Sequence, residues 1–221
     1  MKRRLVLLAL TLAFLMGQAT WADSGRLALA GRAGTLGLGG DVMVNVLTDL
    51  NLRLGVGAFR FDFDAEYSDI DYDFELDMLT FPMTLDWYPF DEKFHISAGV
   101  VINDSDATLD STPGESLQIG DDIYTPTEIG VLSGRLGFDN VAPYIGIGWG
   151  NAFGKSRRWG FVTDLGVAFV GSPNVDLSAS GTLASDPGFI ADLARQEADL
   201  EDHLEDFKIY PVFSANLYFR F

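Results

Sequence analysis

Lys208-Ile-Tyr-Pro-Val-Phe-Ser-Ala-Asn-Leu-Tyr-Phe-Arg-Phe221 closes the chain with an apolar side chain at every odd position. Successive side chains of an extended strand point to opposite faces. Ile209, Pro211, Phe213, Ala215, Leu217, Phe219 and Phe221 therefore share one face, and Lys208, Tyr210, Ser214, Asn216 and Arg220 share the other. An apolar row backed by a polar one, ending on aromatic rings, is the pattern of a strand with lipid on one side and a lumen on the other.

Working back from this strand, the same alternation recurs. Leu36, Leu38, Val42, Val44 and Val46 alternate with Gly37, Gly39, Asp41, Met43 and Asn45, and a tight turn at 48–51 leads to Leu52, Leu54, Val56 and Ala58 against Arg53, Gly55 and Gly57. A strand through Leu79, Phe81, Met83, Leu85 and Trp87 turns at 88–93 into Phe94, Ile96, Ala98, Val100 and Ile102. Residues 127–138, with Leu132, Leu136 and Phe138 outward and Arg135 inward, turn at 139–142 into Pro143–Gly150, and Trp159–Phe169 makes a further crossing. Hydrophobic residues make up 48% of the chain, yet no run in the mature part is long enough for a membrane helix. In hydrocarbon every backbone amide needs a partner, which leaves a closed barrel as the spanning solution. A soluble β-sandwich would also alternate; the aromatics at strand ends and the glycine, serine and charge opposite the apolar rows weigh against it.

With residues 174–183 as a rising strand the count from residue 33 onward is nine, and barrels with both termini on one side carry an even number. Either Arg26–Ala30 adds a tenth, or one segment is not a membrane strand and the number is eight. Connections are short at 48–51, 88–93 and 139–142 and long at 64–73 and 103–126, so short turns are expected on the periplasmic side. That assignment places Trp87, Phe90, Phe94, Phe138 and Tyr144 at a periplasmic rim and Trp149, Phe153, Trp159 and Phe161 at an outer rim.

At the other terminus Lys2, Arg3 and Arg4 precede an apolar stretch from Leu5 to Met16 and a small-residue site at Thr20-Trp-Ala22. This reads as a secretory leader, residues 1–22, cleaved after Ala22, with one barrel domain over 23–221. The chain has no cysteine, which excludes a disulfide framework. Between 187 and 207 the period changes: Asp186-Pro187 reads as a helix start, and Phe189, Leu193, Leu200, Leu204 and Phe207 form a narrow apolar stripe in an acidic helical insertion.

The formal charge of −17 becomes −20 when the leader's three basic residues are removed, which excludes nucleic acid as a partner. Acid gathers at Asp62, Asp64, Glu66, Asp69, Asp71, Asp73, Glu75 and Asp77 and again at Asp104, Asp106, Asp110, Glu115, Asp121 and Asp122. Asp69, Asp71 and Asp73 share a strand face and are candidates for a hard divalent cation held through oxygen, though no calcium-loop spacing accompanies them. Loose divalent bridging between this acidic rim and lipopolysaccharide is the plainer expectation. Charged or polar residues on inward faces are Asp41, Arg53, Asp86, His95, Arg135, Asp164 and Arg220. A bore of about eight strands is filled by side chains, whereas aqueous pores need about 16. These residues are therefore either a paired network filling the lumen or a polar path for small solutes.

The hairpin at Thr48-Asp49, the Asp86–Phe90 turn followed by Ser97-Ala-Gly99, the Pro143–Gly148 strand start and the terminal Tyr218-Phe-Arg-Phe221 together resemble the small outer-membrane barrels of the OmpW and OmpA membrane-domain type. The resemblance implies an all-β, antiparallel up-and-down transmembrane barrel of eight strands, with ten as the alternative. It also implies a place in the bacterial outer membrane among lipid and lipopolysaccharide. The terminal Phe221 resembles the signal read by the barrel-assembly machinery. Two functions are left open by it: a narrow porin-like channel for small cationic or neutral solutes, or a non-conducting structural or surface-interaction barrel.

No cofactor motif is present, because Gly37-Leu-Gly39-Gly40 and Gly146-Ile-Gly148 do not open a strand-to-helix phosphate loop. His95-Ile-Ser97 has a His-x-Ser spacing similar to that of an outer-membrane lipid A deacylase. Here that face is the lumen and the acyl-chain side carries Ile96 and Ala98, so no enzyme activity is expected.

Overall fold

The computed structural model describes residues 26–67, 70–90, 93–154, 158–204 and 207–221. The leader expected at 1–22 lies outside them. Eight antiparallel strands close into a barrel: β1 (Leu27–Gly34), β2 (Gly37–Leu47), β3 (Leu50–Tyr67), β4 (Ile70–Trp87), β5 (Phe94–Asn103), β10 (Val141–Trp149), β11 (Trp159–Phe169) and β13 (Ile209–Arg220). Each pairs with the next in chain order, and β1 pairs with β13 to close the ring. The remaining strands, β6 (Asp106–Thr112), β7 (Leu117–Ile119), β8 (Asp122–Tyr124), β9 (Leu132–Gly137) and β12 (Asn174–Ala179), lie outside the ring.

Alternation puts the apolar side chains outside. Leu85, Trp87, Ile145, Ile147, Leu165, Phe213 and Leu217 are exposed, while His95, Ser97, Ser214 and Asn216 are buried. This inside-out distribution is stable only where hydrocarbon surrounds the barrel.

Both ends of the barrel sequence, the start of β1 and the end of β13, lie at one end of the cylinder, with the connections β2–β3, β4–β5 and β10–β11. We call this the turn end. The opposite, or loop, end carries the two long excursions, 104–140 and 170–208. There β3 and β4 run on past the barrel: Asp71–Asp77 leave β5 and pair instead with β6, which pairs with β9, which pairs with β12. A five-stranded sheet, β3-β4-β6-β9-β12, is thus raised above the mouth. Two helices, α1 (Pro126–Ile129) and α2 (Pro187–Leu204), and the β7–β8 hairpin cover part of one face. Their core is Ile119, Tyr124, Ile129, Phe189 and Leu193. Asp186 starts α2 by accepting the backbone N–H groups of Gly188 (2.9 Å) and Phe189 (3.1 Å) through Oδ1, satisfying donors that the first turn leaves free.

Several expectations need correction. Residues 127–138 are not a membrane strand: 126–129 are helical, and β9 belongs to the raised sheet. Residues 174–183 likewise contribute β12, the outer edge of that sheet. Alternation alone cannot separate these strands from membrane strands, because a raised sheet covered on one face has the same period. Arg26–Ala30, by contrast, begins a full barrel strand. The extra strand before residue 141 inverts the direction of the next two, so the turn at 139–142 lies at the loop end. Trp149 and Trp159 lie at the turn end, where Trp149 faces Phe94 and Trp159 faces Phe219. Phe153 and Phe161 go with them, whereas Tyr144 is buried inside the barrel and Phe138 lies at the loop end. β3 continues to Tyr67 and β4 begins at Ile70, so most of the segment expected as a long loop is paired strand. The described helix spans Pro187–Leu204, and Phe207, expected as its last apolar position, is exposed and outside it.

Candidate functional site: a charged layer across the lumen

Numbering the barrel strands around the ring, β3 and β11 are diametrically opposed. Arg53 on β3 reaches across this diameter to Asp164 on β11, its Nη1 donating to Oδ2 (2.6 Å) and its Nη2 to Oδ1 (2.7 Å). The same Nη2 donates to Asp86 Oδ1 on β4 (3.0 Å). Ser97 on β5 donates to Asp86 (2.7 Å), and His95 Nε2 lies 2.9 Å from Asp164 Oδ1. On β13, Ser214 Oγ (2.9 Å) and Asn216 Nδ2 (3.1 Å) both donate to Asp164. Arg32 on β1 closes the ring by pairing with Asp41 on β2 (3.0 Å) and donating weakly to Asn216 Oδ1 (3.4 Å). Seven of the eight strands thus feed one connected layer, and all these side chains are buried.

The charges tolerate burial because nearly every one is paired and hydrogen-bonded; isolated, each would carry a desolvation penalty of several kcal/mol. Glycine makes the room. A Cβ on Gly148 would stand 2.3 Å from His95 Nε2, and one on Gly55 2.2 Å from Asp41 Oδ1. Among the described residues, two atoms in the layer have no hydrogen-bond partner, Arg32 Nη1 and Asp41 Oδ1. Beside the layer, toward the loop end, a cavity bounded by Arg32, Arg53, Asp164, Tyr144 and Leu36 has space for about one or two waters.

Buried apolar clusters flank the charges on both sides. Toward the loop end lie Leu36, Val101, Ala142, Tyr144, Ala168 and Val212. Toward the turn end lie Ala28, Ala30, Met43, Val162 and Tyr218, with Ala152 from the β10–β11 loop tucked among them. That loop is held in the mouth by Tyr88 Oη donating to Gly150 O (3.2 Å), Tyr218 Oη to Asn151 O (3.1 Å) and Asn51 Nδ2 to Asn151 Oδ1 (3.3 Å).

Of the residues singled out by sequence, Asp41, Arg53, Asp86, His95 and Asp164 meet in this layer. Arg135 does not: it is exposed on β9 of the raised sheet, because that strand is not in the barrel. Arg220 also stands apart, at the turn-end rim, where its Nη1 donates to Gly154 O (2.9 Å). Phe221 follows the last strand and stacks edge-on against Phe219 at a 5.3 Å centroid separation. Arg32, Ser214, Asn216 and Thr84, whose Oγ1 accepts from Arg53 Nε (3.3 Å), are layer members outside that set. Arg32 falls between the segment Arg26–Ala30 and the strands counted from residue 33; the others carry no charge.

Part of the acidic set shares one face of the raised sheet. Asp64, Asp73 and Asp110 stand side by side on β3, β4 and β6, with Asp62, Glu75 and Thr108 in the next row. Partial desolvation and then the facing Asp64 carboxylate raise the pKa of Asp73 from its ordinary value. Asp69 lies outside the described residues, and so do the surroundings of the Asp71 side chain. Among the described residues no group of three His, Asp or Glu side chains has the geometry to hold a metal.

The fold has solved counterparts. CarO2 of Acinetobacter baumannii superposes with a TM-score of 0.59 at 21% identity, over 88% of this chain and 98% of that one. CarO of the same organism gives 0.56 at 19% identity, over 89% and 97%. At that identity the likeness is one of fold. No family model and no curated protein matches the chain.

Proposed function

We propose that this protein is a bacterial outer-membrane barrel with a closed lumen that works through the sheet and helix raised above its loop end. The observation that carries the reading is the diametric Arg53–Asp164 pair, held between two apolar layers. A hydrated ion entering the bore would have to cross an apolar constriction on either side of a layer of buried, mutually paired charges. The short-turn end, ringed by Trp87, Phe94, Trp149 and Trp159, is the periplasmic side in this reading, and the raised sheet faces outward. Surrounding lipid and lipopolysaccharide are then its neighbours, and the assembly machinery would read the aromatic end of β13 with Phe221. His95 and Ser97 lie wholly within the charge layer, where no acyl chain approaches, which favours a non-enzymatic role.

The narrow channel for small cationic or neutral solutes is favoured by one observation: the layer holds three carboxylates, Asp41, Asp86 and Asp164, against the two guanidiniums of Arg32 and Arg53. Single-channel recording in a planar bilayer separates the two readings. Folded protein is expected to leave the bilayer at background conductance. Discrete cation-preferring openings from the wild-type protein would overturn the closed-lumen reading.

A further inference from the structure

The two edges of the raised sheet are treated differently. At the β12 edge, α2 lies alongside and presents Glu197 and Glu201, whose carboxylates accept the backbone N–H groups of Leu177 (2.6 Å) and Val175 (2.9 Å). Two edge donors are thereby satisfied and the edge is covered, a protection against strand pairing. At the other edge the pairing of β3 with β2 ends at Ala58, opposite Leu38. From residue 59 to residue 67, β3 pairs with β4 alone among the described residues. Every second residue of that stretch directs its N–H and C=O away from the sheet.

Beside this open edge stand Phe59, Phe61 and Phe63, exposed by 44%, 47% and 55%. Their rings stack in a row at centroid spacings of 6.5 and 6.4 Å. They are in phase with Arg53, Gly55 and Gly57, which face the lumen, and out of phase with Leu52 and Leu54 of the lipid belt. Lipid contact along the belt therefore does not account for them. The opposite face of the same edge carries Asp62 and Asp64, backed by Asp73 and Glu75 on β4.

We propose that residues 59–67 are a β-augmentation site for an extended peptide segment in which apolar and basic residues alternate. This rests on the reading of the raised sheet as the working surface. Main-chain hydrogen bonds to the open edge would supply affinity, and alternate side chains specificity. The partner's apolar residues lie along the phenylalanine row, while its lysines or arginines meet the acidic face. A second copy of this chain fits less well, because antiparallel pairing through the same edge sets Asp62 and Asp64 against their own counterparts, and like charges directly opposite are destabilising.

The test uses the mature chain folded in lipid nanodiscs and a dye-labelled nonapeptide of alternating lysine and valine. A peptide with the same residues in two blocks, and one with proline at alternate positions, serve as controls. The alternating peptide is expected to bind about tenfold or more tightly than either control and to slow amide exchange at residues 59–67. Phe61→Asp should abolish that preference while the protein keeps its heat-modifiable gel migration. Equal binding of all three peptides would mean charge attraction alone and would overturn the proposal. So would unchanged exchange at 59–67, or protection of those amides without peptide by dimers or by added lipopolysaccharide. Bilayer conductance of the same preparation reports on the closed lumen independently, so failure of one reading is distinguishable from failure of the other.

Discussion

Arg53 and Asp164 join the two barrel strands that stand furthest apart, through paired contacts of 2.6 and 2.7 Å. A bidentate guanidinium–carboxylate pair is rigid as well as strong, so this contact ties the two opposite walls of the bore together. The other polar groups are arranged around it. Asp164 alone is approached by Arg53, His95, Ser214 and Asn216.

Removing the arginine should therefore cost more than the contact itself. Arg53→Ala leaves Asp86 and Asp164 buried without their cation, and breaking a buried pair costs about 3–5 kcal/mol. The temperature at which the folded band converts to the unfolded one on a detergent gel should fall markedly. Arg53→Ala combined with Asp164→Asn should fall by clearly less than the two single effects added. Additive losses would show that the two side chains do not act as a unit.

Gly148→Ala tests the packing of the same layer without removing a charge. The added methyl would occupy the place of the His95 ring edge, 2.3 Å from Nε2, and overpacking of this kind costs about 1–3 kcal/mol. The gel transition should drop, and pairing the change with His95→Ala should recover part of the loss. No recovery would mean that the strain lies in the backbone, where Thr163 O also stands close, at 2.6 Å.

These two residues also show what the sequence discloses. Glycines and charges alternating on a strand face opposite large apolar residues identify a lumen, and Asp41, Arg53, Asp86, His95 and Asp164 are all found that way. Their mutual contacts are not legible, because they depend on which strands stand opposite in the closed ring. The count of strands misled for a related reason. Leu132, Gly134 and Leu136 alternate with Ser133 and Arg135 as a membrane strand would, yet the apolar row of β9 belongs to the sheet face on which Ile129, Phe189 and Leu193 pack, with Leu132 at their margin. Sequence period reports that one face is buried, and it is silent on whether protein or lipid buries it.

The helix α2 gives a prediction at single-amide resolution. Glu197→Ala with Glu201→Ala removes both acceptors at the β12 edge. Leaving such donors unpaired costs about 1–3 kcal/mol each where water is excluded. Amide exchange at Val175 and Leu177 should accelerate while the barrel amides are unaffected. The glutamine pair, which keeps an acceptor oxygen, should accelerate them less. Equal effects of alanine and glutamine would assign the protection to packing rather than to these bonds.

The acidic face of the raised sheet predicts a pH dependence of opposite sign to that of a salt-bridged carboxylate. Asp73 has a raised pKa in the folded protein, from partial desolvation and from Asp64, so the folded state holds its proton more tightly than the unfolded one. Stability of the sheet is then greatest below the ordinary aspartate range and declines as pH rises through the raised folded value. Exchange of the β4 and β6 amides in 71–77 and 106–112 should quicken over that interval. Asp73→Asn should flatten the dependence and slow exchange at neutral pH. A variant that keeps the full pH slope would move the origin of the effect from Asp73 to the neighbouring Asp64 and Asp110.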